Sequence, residues 1–138
     1  MWYTYALLSA LFAALTAIFA KVGVKNVNPD LATAIRTVVI LIIAWLIVFL
    51  RGGINTNSPL TKTNWIFLTL SGMATGLSWI FYFKALQLGK VSQVAPVDKL
   101  SVALAIILSV IFLKEALTIK AAIGAILIIT GTIILIWQ

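Results

Sequence analysis

The chain has no cysteine and no histidine, and only three of its 138 residues are acidic. Without cysteine there is neither a disulfide nor thiolate chemistry, and without histidine the commonest metal ligand is gone. Asp30, Asp98 and Glu115 stand far apart, so no carboxylate metal site is expected within one chain. These residues predict no enzyme, no metal and no bound cofactor. Charge of either sign is scarce as well, at 9% of residues, against about 25% in soluble domains. Such a chain cannot cover a water-facing surface with polar groups.

What is there is apolar. Hydrophobic residues make up 63% of the chain and the mean hydropathy is +1.18. A bilayer core of about 30 Å takes about 20 helical residues to cross, which leaves room for five spans joined by short loops. The expected fold is therefore an all-α, polytopic membrane protein. Its spans are predicted at about residues 2–20, 31–50, 64–86, 93–113 and 121–137, in one compact domain over residues 1–138 with no soluble module. The net charge of +7 comes from ten Lys and Arg residues. These lie at the ends of apolar runs rather than in a stripe, which fits headgroups and topology and not nucleic acid.

The first span opens on Trp2, Tyr3 and Tyr5, residues suited to the headgroup interface, and is read as a retained helix instead of a signal peptide. Ser9, Ala13, Thr16 and Ala20 recur on one small face, either a packing seam or a pore wall. Asn28 and Pro29 read as the cap and first turn of the second helix. Arg36 then falls about 8 Å inside it; the side chain either snorkels to the headgroups or turns into a cavity.

Arg51 to Lys62 is a polar surface loop. In the third span Ser71, Thr75, Ser78 and Tyr82 form one helical stripe, with Gly72 and Gly76 beside them. The hydroxyls line a path or bond helix to helix, and Trp79 and Tyr82 offer stacking surfaces. Lys114 and Glu115 read as an interfacial ion pair, and the fifth span, nearly free of polar groups, as scaffold or subunit contact.

The fourth span is the anomaly. Pro96, Asp98 and Lys99 lie in its first half, where a charge costs about 2.5–3.5 kcal/mol on insertion scales. Pro96 also frees backbone groups, which survive at membrane depth only against protein or a wet cavity. Sequence neighbours on a helix point about 100° apart, so Asp98 and Lys99 are placed on separate stripes. They make either a self-compensating kink or part of a permeation path. Burial disfavours the charged form of both, so either is a candidate for a coupling proton.

Five spans place Arg51, Lys62, Lys114 and Lys120 on one side and Lys21, Lys25, Lys84 and Lys90 on the other. With no excess of basic loops on either side, orientation is undetermined. Dual topology is expected, with oppositely inserted copies pairing as an antiparallel homodimer around a midplane site.

Two segments carry a family resemblance. Phe112 to Leu135, with Glu115, Thr118, Gly124 and Gly131, is similar to the end of an EamA repeat of the drug/metabolite transporter superfamily. Lys114 stands where that repeat usually has glycine. Phe81 to Pro96 resembles the repeat's aromatic third span, turn and proline, and Pro96 to Ser101 resembles the half-size, five-span members. The resemblance implies a multi-pass carrier of the inner cell membrane for a small metabolite or drug. In it, two inverted five-helix units enclose a cavity lined by the first, third and fourth spans. The first-span glutamate of the related four-helix multidrug exporters is absent.

The expected function is secondary transport of a small polar solute by alternating access as an inverted dimer. Lys99 would bind an anionic group of the substrate or change protonation, and Asp98 would balance it or carry a coupling proton. Ser71, Thr75, Ser78, Trp79, Tyr82 and Arg36 would line the path, and Pro96 would be the hinge. A carboxylate- or phosphate-bearing substrate is favoured. The alternatives are a non-transporting membrane subunit that assembles with a homologous five-span partner, and a passive channel.

Overall fold

A computed structural model describes residues 1–52 and 60–137. The polar loop from Arg51 to Lys62 falls largely on residues outside these. The described residues form helices only: α1 (Trp2–Gly23), α2 (Pro29–Leu50), α3 (Lys62–Leu88), α4 (Val91–Asp98), α5 (Leu100–Phe112) and α6 (Ile119–Ile136). With α4 and α5 taken together, five segments are long and apolar enough to cross a membrane. Every end falls within three residues of the predicted span.

The helix starts follow from their caps. Asn28 is extended, its Oδ1 accepts from the Asp30 N–H at 2.8 Å, and Pro29 takes the first helical position, where a missing N–H costs nothing. Thr61 Oγ1 accepts from the Asn64 N–H at 3.2 Å at the start of α3. Thr118 does the same for Ala121 at 3.1 Å, opening α6.

By internal contacts the chain forms two compact units. One comprises Ala20–Gln87, which holds the end of α1, α2 and nearly all of α3. Here the turn after α1 is tied to the end of α3. Gln87 Nε2 donates to the carbonyl of Val24 at 2.8 Å and to that of Val27, and Lys21 Nζ donates to the carbonyl of Leu86. Asn26 holds the turn at φ 62°, a conformation its short amide side chain tolerates. Val24, Phe83 and Leu86, the largest fully buried side chains, all belong to this unit.

The other unit comprises Met1–Phe19 and Leu88–Gln138. In it α6 packs along both α4 and α5. The fourth span is interrupted at Lys99, three residues beyond Pro96. The Lys99 N–H is shared between the carbonyls of Ala95 at 3.3 Å and Pro96 at 3.0 Å, and α5 starts afresh from the Lys99 carbonyl.

α5 ends with Leu113 N–H bonded to the Ser109 carbonyl at 2.9 Å, and Glu115 N–H reaches the same carbonyl at 3.3 Å. Between them Lys114 sits at φ 55°. This left-handed conformation costs an L-residue about 1–2 kcal/mol and glycine little, which gives a physical reason for the glycine that EamA repeats usually carry there. Lys114 and Glu115 form no ion pair with each other; the one pair among the described residues lies elsewhere.

Lys114→Gly is therefore expected to raise stability by about 0.5–1 kcal/mol, and Lys114→Val to lower it, in thermal unfolding of the detergent-solubilised protein. Thr118→Ala should cost about 1 kcal/mol by removing the α6 cap.

Candidate substrate and coupling site

Two groups of the predicted residues come together, one in each compact unit. In the Ala20–Gln87 unit, Arg36 meets the aromatic end of the α3 stripe. Its guanidinium carbon lies 4.1 Å from the centroid of the Trp79 ring and 5.2 Å from that of Phe83. Trp79 and Phe83 are four residues apart, so both rings leave the same side of α3. Tyr82 is near enough to act on Arg36 electrostatically, and its ring stands 6.4 Å from that of Phe83. Arg36 is seven residues inside α2, about 10 Å along its axis, and Trp79 about 13 Å from the end of α3. The guanidinium is thus held sideways onto α3 rather than stretched along α2.

The energetics leave that cation incompletely compensated. Arginine in a span costs about 2.5–3.5 kcal/mol, and a cation over an aromatic face recovers about 0.5–2 kcal/mol. Among the described residues Arg36 has no carboxylate partner and donates no hydrogen bond. Ser71, Thr75 and Ser78, on the other part of the stripe, are exposed and do not join it. The Thr75 hydroxyl donates to the Ser71 carbonyl of its own helix at 2.9 Å. Nothing approaches the positions where Gly72 or Gly76 would carry a Cβ, so that flank is open.

In the other unit, Asp98 and Lys99 pair with each other. Lys99 Nζ stands 3.2 Å from Asp98 Oδ2, with the side chains 57% and 36% exposed respectively. Lys99 keeps right-handed helical angles (φ −72°, ψ −9°), and its four-carbon stem reaches across to the neighbouring carboxylate. The two charges neutralise one another instead of occupying different stripes.

Residues that sequence reasoning passed over hold both arrangements. Thr132, only 3% exposed, donates from Oγ1 to the Pro96 carbonyl at 3.2 Å. It therefore pins the break from α6, the helix whose sequence suggests scaffold or subunit contact. Thr130 and Thr132, the two hydroxyls of an otherwise apolar stretch, were the available signal. Gln87 stands at the end of α3, in a segment with no chemical signature of its own. With Lys21, Lys25, Asn26, Val27 and Leu86 it also lines an open pocket of about 970 Å³ at the α1–α2 turn. No group of three or more metal-ligating side chains forms among the described residues.

Comparison with known proteins gives a consistent picture. The model of the EamA-like transporter family matches residues 1–137. A relative from Sinorhizobium sp., described as an uncharacterized transporter in the cobO 3' region, is 50% identical over 134 residues, covering 97% of this chain and 95% of its own. An uncharacterized protein of Methanocaldococcus jannaschii is 31% identical over 129 residues, covering 94% and 91%. No solved structure matches the chain.

Thr132→Val, close in shape but without a donor, should destabilise the protein by about 1 kcal/mol. Gln87→Leu, which removes both of its bonds and leaves the Val24 carbonyl only the Val27 N–H, should cost about 1–3 kcal/mol by the same denaturation measurement.

Proposed function

The chain belongs to the EamA-like transporter family, and we propose that it is a secondary transporter of a small polar metabolite or drug in the inner cell membrane. It is a multi-pass membrane protein with five membrane-length helices and a relative named as a transporter. The proposal adds that one membrane domain, doubled by a second copy inserted the opposite way, moves its solute by alternating access.

The observation that carries the reading is the Asp98–Lys99 pair at an interrupted span. A charge pair about 12 Å along a 22-residue span is poorly accounted for by structure alone, since an apolar pair of similar volume would be as stable there or more so. It is well suited to switching. Protonation of Asp98, or arrival of a charged substrate, breaks the pair and leaves Lys99 free to act on the solute. Pro96 provides the hinge, because the helix already lacks one backbone bond there and needs little energy to bend. Proton coupling through Asp98 requires no further cofactor.

Support for the inverted dimer comes from the equal basic loops and from the open faces of the helices. Added Cβ atoms at Gly72, Gly76, Gly124 and Gly131 would all meet empty space. Small residues of this kind let a second backbone approach closely in lipid.

In proteoliposomes, solutes found by a thermal-shift screen should accumulate under a pH gradient. Lys99→Ala and Asp98→Asn should each reduce uptake at least tenfold, and Asp98→Asn should abolish its dependence on the gradient. Wild-type uptake in both variants would end the assignment. Saturable transport by the purified chain alone would exclude a purely structural subunit and a passive channel. Accessibility tags should find each terminus on both sides of the membrane; a single orientation would overturn the inverted dimer.

A further inference from the structure

Three charged side chains lie within the predicted spans near their starts: Arg36, Asp98 and Lys99. Two of them cancel, since Asp98 and Lys99 form their own pair. Arg36 is the remaining cation, and among the described residues it has rings but no counter-ion. We propose that Arg36, seated over Trp79 and Phe83, is the receptor for the carboxylate of an amphipathic organic anion, a small acid carried on an apolar body. The proposal rests on the transporter reading and names the substrate class that reading leaves open.

Three features argue for it. First, guanidinium presents a planar fork of five N–H donors that matches a carboxylate in two parallel bonds. Stacking on an aromatic face occupies the π surface of the group and leaves the in-plane donors available. Among the described residues none of those donors is used. The rings therefore orient the cation without satisfying it, as a binding group needs to be oriented before its ligand arrives.

Second, the surroundings select the kind of anion. Trp79 and the apolar body of Tyr82, both half-buried, offer ring faces beside the charge, and Phe83, itself buried, meets the cation from inside the unit. Inorganic phosphate would surrender a tightly held hydration shell to enter such a place and gain little from the rings. A carboxylate on an aromatic or aliphatic body loses less water and buries its apolar part against the same faces. An organic cation has no basis for binding there, because Arg36 already covers the Trp79 face that would attract it.

Third, the location suits passage of a solute. Arg36 and Trp79 lie about 10 and 13 Å from the ends of their helices, short of the middle of a 30 Å core. A solute received there is part-way across.

The test is equilibrium binding to the full-length protein in nanodiscs, with benzoate, benzylamine and inorganic phosphate as probes. Isothermal titration supplies the affinities, and wild type and variants are first matched by thermal unfolding. Benzoate should bind wild type saturably, at least tenfold more tightly than phosphate, and benzylamine should not bind measurably. Arg36→Met should weaken benzoate at least tenfold. Arg36→Lys, which keeps the charge and loses the fork, should fall in between and guards against loss of fold in the first variant. Arg51→Ala, which removes an exposed arginine at the other end of α2, should bind as wild type does. The proposal is overturned if benzoate fails to bind wild type, if it binds Arg36→Met equally well, or if benzylamine rivals it. Binding requires no transport, so the two readings separate. Arg36-dependent binding without uptake keeps the receptor and rejects the carrier, and uptake indifferent to Arg36 does the reverse.

Discussion

The hydrogen bond from Thr132 to the Pro96 carbonyl carries more than its own free energy. Hydrocarbon offers no water to a backbone group without a partner, so a helix that breaks inside a membrane must be met by protein. Pro96 has no N–H to give, and the interruption at Lys99 leaves carbonyls of the preceding turn short of donors. The shared Lys99 N–H answers part of that need, and a hydroxyl from α6 answers the carbonyl of Pro96 itself. With that bond in place the fourth span can be two helices instead of one, and it can hold a charged dipeptide at the joint.

The same constraint, applied to charge, has been met in two ways. Asp98 and Lys99 are neutralised locally, by a pair that sequence adjacency makes easy to form once the helix is interrupted. Arg36 is stabilised by polarisable surface, through rings that attract a cation without accepting its hydrogen bonds. A closed pair is quiet until something competes for one of its members. A cation on an aromatic shelf keeps its donors exposed to whatever comes. These are different chemical capacities: a pair can open and close, and an unpaired guanidinium can accept an anion.

The large features were legible in the sequence because they depend on quantities the sequence states directly. Hydropathy and length located five spans to within three residues, and the Asn28-Pro29 start follows from the local chemistry of two side chains. The proline and charges of the fourth span marked the interruption. What escaped needed a third dimension. That Arg36 would find Trp79 and Phe83 depends on how α2 and α3 face each other, and periodicity within either helix is silent about that. The mutual pairing of Asp98 and Lys99 was hidden because periodicity gives the direction in which a side chain leaves the helix and not how far a four-carbon stem reaches. Thr132 escaped because the span was judged by how few polar groups it has, whereas its bond to the Pro96 carbonyl depends on how α6 packs along α4. Lys114 was noticed as a departure from the usual glycine, but its cost appears only with the backbone angle of 55°.

The open helix faces remain to be accounted for. In each membrane-length segment only about 6% of the residues are buried inside the chain. Lipid is an adequate partner for leucine, isoleucine and phenylalanine, so most of this exposure needs nothing more. Glycine and hydroxyl faces differ, because lipid tails gain little by lying against backbone and nothing by meeting a hydroxyl. Gly72 and Gly76 on α3 lie beside exposed Ser71, Thr75 and Ser78, and the internal bond of Thr75 satisfies only one donor of that group. A face of this composition is best matched by another helix or by a wet passage. The proposed inverted second copy would supply both, bringing protein against the glycines and enclosing water beside the hydroxyls. The balance of basic loops agrees with that proposal, because it gives no charge-based preference for one orientation.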